Sequence, residues 1–575
     1  MKRNVFLLLL SLPFLIFTAN AQTKSLLWKI SGNGMSKPSY IYGTMHVSDK
    51  IAFHLTDSFF IALKSADIIA LESNPESWIE NDFGNKKGSN QQSNSYYGNY
   101  YDYNYTDFYT EATTIEIPDI KTYAAAFADN SYLINGYLYR YNDNRGDYAE
   151  ETYLDLFIFQ CGKKLNKQIA ALEGEQEVLK LLQKAYEPTE DEDEDKDYIT
   201  QRKIMEELEE DGTNLYEQID EAYRNGDLEK LDSLELITLP SKKYKYYFIE
   251  ERNRNMVRRM DSIMNKGKTI FTGIGAAHLP GEFGALNLLR EMGYTVTPVK
   301  GKITGKSIKE KDKIDNTFYV QPTNKQYSDD SLFTLSSPGK LYMIPDFSGN
   351  EFYLFPDMAN SAYYTVTRIK HRASFKNMQI TDVKYEIDRM LFENIPGDIQ
   401  SKTDIVSNTG LKGYDIVSKT KRGNFLRFNI FISPLETYIF KVGGIGEFVI
   451  KSKEAQNFFS TIQFKAQKEN KWTCYSPAWG LFSLDLPATR ITDAVETDET
   501  VSTSQTICEG EAMDESGFYW FTTYYLNDDD FIEEDSFELV RITDMFNEQF
   551  KKNKYEKKVE QFLTYEGHPL SLIHI

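Results

Sequence analysis

Two of the chain's six histidines sit in the same short device. Ser39-Tyr40-Ile41-Tyr42 runs into Gly43-Thr44-Met45-His46, and a strand-like run from Thr269 to Ile274 leads into Gly275-Ala276-Ala277-His278. A glycine at a strand end permits a sharp turn and lets another group come close. In open α/β sheets ligands bind above the carboxyl ends of the strands, so imidazoles raised from two equivalent ends can share a metal ion or a substrate. Two carboxylates stand at similar places. Glu72 follows Asp67-Ile68-Ile69-Ala70-Leu71, and Glu173 follows Ile169-Ala170-Ala171-Leu172. A carboxylate at a sheet edge can ligate a metal or act as a general base; its plainer use is to bond a neighbouring loop.

Arg252-Asn253 lies in a basic helical stretch with Arg254, Arg258 and Arg259. Most of those charges belong in water, but one arginine facing the sheet can hold a carboxylate or a developing oxyanion. His278-Leu279-Pro280-Gly281-Glu282 places Glu282 in the first turn of the following helix, where the dipole favours a carboxylate. Gly-x-Ser-x-Gly, His-Glu-x-x-His, a phosphate loop and a dinucleotide fingerprint are all missing. His54 and His371 have no metal-like spacing and read as ordinary polar residues.

These residues need a scaffold, and periodicity supplies one. Each Gly-x-x-His is followed by a helical stretch, Thr56 to Ser65 and Glu282 to Met292, and by a strand-like run, Asp67 to Leu71 and Tyr294 to Val299. Further helices are predicted over Tyr153 to Leu165, Glu175 to Tyr186, Gln201 to Glu210, Leu215 to Arg224 and Tyr244 to Asn265. The fold class is therefore an α/β N-terminal domain with paired strand–Gly-x-x-His–helix–strand units and a helical insert. After the charged run Lys300 to Lys313 come α+β, strand-rich C-terminal modules, with one clear helix around Ser452 to Ile462. A weak repeat links Phe333–Pro338 to Phe482–Pro487 and Tyr364–Ile369 to Phe537–Ile542.

Met1-Lys2-Arg3, an apolar run and Ala19-Asn20-Ala21 read as a secretory signal peptide over residues 1–21. The expected product is exported, periplasmic or secreted, with no integral membrane span in the mature chain. The domain then runs over residues 22–305, with an Asn/Tyr-rich insertion at 81–110 and an acidic loop at 187–197. An α+β module at 314–466 and a second, truncated one at 471–569 follow. Residues 570–575 match the translation of a common sequencing adapter. The formal net charge of −21 makes nucleic acid a poor partner. Three scattered cysteines are too few for a disulfide framework, although Cys474 and Cys508 can pair in an oxidising compartment.

Taken in order, Leu27-Trp28-Lys29-Ile30-Ser31-Gly32-Asn33-Gly34, Pro38 to His46, Leu71-Glu72-Ser73, Tyr153-Leu154-Asp155, Leu172-Glu173-Gly174, Arg252-Asn253 and Gly275 to Gly284 resemble the TraB/GumN family, which includes the Tiki proteases. The resemblance covers about residues 25–300. It implies an exported metal-dependent hydrolase, most simply a peptidase acting on a peptide or protein substrate through a metal-activated water. It further implies His46 and His278 as metal ligands, with Glu72, Glu173 and Arg252 in catalytic roles. Gly43, Asn253, Gly275 and Glu282 would bind substrate or support the site. The implied cofactor is a divalent metal ion, manganese or cobalt, with zinc as a further candidate. The same residues also suit a non-catalytic protein that sequesters peptides, or an ester or lactone hydrolase on a related fold. The C-terminal modules are expected to dock an envelope partner.

Overall fold

Ile68-Ile69-Ala70-Leu71 is buried at every position, as a strand covered on both faces must be. That run is the third strand of a six-stranded sheet. The structure is a computed structural model, and it describes residues 24–45, 50–84, 120–128, 132–138, 150–187, 214–239, 241–344, 351–370, 380–433, 436–465, 472–476, 483–486, 489–492, 505–513, 518–525, 535–552, 559–565 and 567–574. The signal peptide, His46, His371, the helix expected over Gln201 to Glu210, and nearly all of the Asn/Tyr-rich insertion and acidic loop lie outside the described residues.

Contacts divide the chain into two units, residues 1–74 with 147–316, and residues 75–146 with 317–575. The first is mixed α/β. Its strands are β1 (Leu27–Gly32), β2 (Ser39–Thr44), β3 (Ile68–Leu71), β4 (Gln168–Ala171), β5 (Ile270–Gly275) and β6 (Tyr294–Pro298), in the order β4-β3-β5-β2-β1-β6. β4, β3, β5 and β2 are mutually parallel, and β1 is antiparallel to both neighbours. The carboxyl ends of four adjacent strands therefore share one edge.

Helices cover this sheet. Leu154–Lys164 lies so close that a Cβ on Gly162 would fall 2.8 Å from Ile69 and Ile169 atoms. Asp57–Ser65 is started by Thr56, whose hydroxyl accepts the Phe59 amide.

Several elements differ from the sequence reading. The helix expected over Tyr244 to Asn265 is a short turn, a π-helical stretch Lys245–Glu251, and then the α-helix Arg252–Met264. The helix after His278 begins at Ala285, so Glu282 precedes it and is not in its first turn. Gly281 at φ +86° turns the chain, and Gly284 packs on the Pro280 carbonyl too tightly for a side chain, which delays the helix. The charged run near 300–313 is largely the helix Gly305–Asp315, opened by a Thr304–Ser307 capping box. Leu228–Thr238 is a helix with no counterpart in the reading.

The second unit is strand-rich. A seven-stranded antiparallel sheet orders Asp398–Val406, Lys412–Lys419, Phe425–Ile432, Glu436–Gly444, Ala362–Lys370, Glu351–Asp357 and Tyr342–Ile344. One core joins Phe333, Tyr364, Phe440, Phe448, Phe458 and Phe464. Residues 75–146, read from sequence as part of the first domain, cluster here instead. Among the contacts that join them to it, buried Lys441 donates to the Ala126 and Ala128 carbonyls at 3.0 and 2.7 Å, and Phe127 packs on Phe428. The repeat fails in its second half. Tyr364–Ile369 lies in a buried strand, whereas Phe537–Ile542 lies in the helix Asp535–Lys552. Residues 570–574 belong to the strand His568–His574, paired with Val559–Tyr565. Among the described residues no helix is long and apolar enough to cross a membrane.

Candidate functional site

Parallel register brings the predicted residues to one edge. Leu71 of β3 stands opposite Ala171 of β4 and Gly273 of β5, and Thr44 of β2 stands opposite Gly275 of β5. Glu72 and Glu173 leave β3 and β4 side by side, because the Glu173 amide still bonds the Glu72 carbonyl at 2.9 Å. His278 closes the short 3-10 turn Ala276–His278 after β5 and is buried.

Arg252 ties the two carboxylates together. Its Nε donates to both Glu173 oxygens at 2.9 and 3.2 Å, and its Nη2 to Glu173 Oε2 at 2.6 Å and Glu72 Oε2 at 2.8 Å. The guanidinium also lies over the Phe248 ring, 4.8 Å from its centroid. Burial pushes the Glu173 carboxyl up from its ordinary range, against the pull of Arg252. Burial works against the charge on Arg252, but its bonds to Glu173 and the charge of Glu72 outweigh that and hold it cationic. The remaining Glu72 oxygen, Oε1, accepts the Gly275 amide at 2.7 Å. Gly275 thus serves the site through its backbone.

Asn253, the next residue on the helix, orients the histidine. Its Nδ2 donates to the Phe283 carbonyl at 2.9 Å, so its Oδ1 faces the ring and accepts from His278 Nδ1 at 2.7 Å. In the neutral ring the lone pair is then on Nε2, which stands 4.0 Å from Glu72 Oε1. A nitrogen and a carboxylate oxygen so placed, with the other ring nitrogen fixed by a neighbour, fit a divalent cation in donor type and in the support behind them. No group of three or more His, Cys, Asp or Glu suited to a metal occurs among the described residues. His46, the other predicted ligand, lies outside them.

Gly43 is required for packing. A Cβ there would lie 2.8 Å from Leu279 Cδ1 and 3.1 Å from Ala276 Cβ, so the end of β2 rests directly on the turn that carries His278. Its neighbours are gripped from outside the sheet. Tyr223 donates to the Gly43 carbonyl at 3.0 Å, and Thr44 Oγ1 donates to Asp155 Oδ1. Tyr223 carried no sequence signal, lying 180 residues away, and Asp155 was part of a matching motif with no role attached. Glu282 is exposed and stands with Asn253 on the wall of a cavity of about 290 Å³. Cys161 is buried and its thiol pushed up by that burial, and Cys474 is a free, exposed thiol.

Residues 26–298 match the TraB/PrgY/gumN family. No curated protein matches the chain. Among solved structures, a crystal structure from Bacteroides thetaiotaomicron VPI-5482 is similar at 14% identity over 27% of this chain, with a TM-score of 0.17. The match spans about half of that protein, 54%.

Proposed function

Starting from a TraB/PrgY/gumN domain at residues 26–298, we propose that the protein is an exported metal-dependent hydrolase acting on peptides. The observation that carries this reading is the meeting of Glu173, Glu72 and His278 at adjacent parallel strand ends, with Asn253 holding His278 so that Nε2 faces Glu72. His278 Nε2 and Glu72 Oε1 would hold the ion, with His46 the further ligand that the family resemblance implies. A manganese, cobalt or zinc ion bound there supplies a polarised carbonyl and a water of lowered pKa.

The chain's own groups do the rest. Glu72 is the carboxylate with an oxygen turned toward His278, because Glu173 is committed to Arg252 by three hydrogen bonds. Arg252 neutralises Glu173 and keeps Glu72 turned toward the Gly275 amide and His278. Asn253 accepts from Nδ1, so the neutral imidazole presents its Nε2 lone pair toward Glu72.

The test is metal content by mass spectrometry on the chain after loading with manganese, cobalt or zinc, beside His46→Ala and His278→Ala. Stoichiometric metal that is lost in both variants supports the reading. No bound metal in the wild type, with both variants folded and unchanged, sinks it and leaves peptide sequestration as the better account.

A further inference from the structure

Asp232, Pro280 and Gly281 line two cavities of the first unit, of about 290 and about 740 Å³. The smaller reaches Asn253, which holds His278, and Ala277, its chain neighbour. With three residues in common, the two cavities adjoin, and the smaller is the groove nearer the candidate site. Gly281, at φ +86°, lays bare backbone against the Asp232 carboxylate, which lies 3.4 Å from where a Cβ would sit. The smaller cavity has apolar walls at Leu239, Ile249 and Phe283. It also presents Asp232, Glu250 and Glu282 beside Lys245, and Arg254 lies over the Phe283 ring, 4.6 Å from its centroid. Glu250 pairs with Arg254 at 3.6 Å. Asp232 and Glu282 have no ion-pair partner among the described residues.

We propose that this groove binds an extended peptide through a lysine or arginine side chain. The alkyl stem packs on Leu239, Ile249 and Phe283 while the cation meets Asp232 and Glu282, the division of labour that long basic side chains favour. An apolar side chain entering the same space would strip water from Asp232 without replacing it, and an acidic one would meet like charge. The groove's bearing on His278 rests on the peptidase reading, but the binding preference needs no catalysis.

The experiment is fluorescence anisotropy on the full chain, with short labelled peptides carrying a central Lys, Arg, norleucine or Glu. Wild type is expected to bind the Lys and Arg peptides about tenfold tighter than the norleucine peptide, the scale of one or two partly exposed charge contacts. Asp232→Asn combined with Glu282→Gln should erase that difference, and Asp232→Lys should turn it toward the Glu peptide. Circular dichroism establishes that each variant is folded, and the Asn/Gln pair decides if Asp232→Lys is not. Equal affinity across the panel for wild type overturns the proposal, as does an unchanged preference in the folded variants. His278→Ala separates the two readings. A basic preference in a wild type that takes up no metal, retained in His278→Ala, supports the groove while ending the hydrolase reading. Metal-dependent cleavage without basic preference does the reverse.

Discussion

Arg252 and Glu173 are joined by three hydrogen bonds of 2.6–3.2 Å, with 8% and 5% of their side chains exposed. Such a pair sets geometry more than it adds stability, because desolvating both charges offsets most of their attraction. Breaking it from one side is different. Arg252→Met strands a buried carboxylate and leaves Glu72 without its second anchor, and should destabilise the protein by about 3–5 kcal/mol. Glu173→Gln keeps an acceptor for the guanidinium and should cost less, about 1–3 kcal/mol. Urea unfolding at pH 7 measures both, and an Arg252→Met loss below that of Glu173→Gln would contradict the account.

Asn253 fixes which nitrogen of His278 carries the proton. If the site takes a divalent ion, removing this support should weaken binding without touching a ligand. Asn253→Ala is expected to lower manganese affinity by roughly 10–100-fold, whereas Asn253→Asp, which still accepts from Nδ1, should keep most of it. Titration calorimetry with manganese distinguishes them. Equal affinities for wild type and Asn253→Ala would remove Asn253 from the site.

Much of this arrangement was legible before any coordinates. The strand-closing positions of Glu72, Glu173 and His278 follow from short apolar runs that end in a polar residue, and parallel register turns that pattern into proximity. What sequence could not supply were relationships across long separations. Nothing local distinguishes Tyr223 as the donor to Gly43, or Asp232 as a groove wall. The π-helical stretch Lys245–Glu251 was also hidden, since its side-chain pattern resembles that of an ordinary helix. The placing of residues 75–146 with the second unit rests on long-range contacts such as those of Lys441, Phe428 and Thr437, and Lys441 in sequence looks like a strand-face charge.

Asp357 gives the second unit a pH signature. Wholly buried, its carboxyl is pushed up to about 6 by burial, against hydrogen bonds from Asn360. A carboxyl whose folded pKa exceeds the unfolded value of about 3.9 holds its proton longer when folded. Stability should therefore fall as pH rises from about 4 to about 6, reaching a cost near 3 kcal/mol above that window. Asp357→Asn lacks the titration, so its stability relative to wild type should rise across the same window and level off beyond it. Unfolding midpoints at pH 4, 6 and 8 test the sign. A difference that does not change with pH would show that Asp357 does not titrate there.

Gly43 offers the sharpest test of how the two Gly-x-x-His turns are coupled. Its α-hydrogens face Leu279 and Ala276, with a Cβ clash at 2.8 Å against a fully buried leucine. Gly43→Ala overpacks that contact and should destabilise the protein by about 1–3 kcal/mol. Leu279→Ala alone leaves a cavity and should cost about 2–5 kcal/mol. Together they relieve each other, because the new methyl enters the space the leucine vacates. The double variant is thus expected to lose about 1 kcal/mol less than the two single losses combined. A thermal or urea double-mutant cycle measures this directly. Strict additivity would mean that the end of β2 moves independently of the turn bearing His278, and any site built from both histidines would then lack the rigid seat that the packing of Gly43 on Leu279 provides.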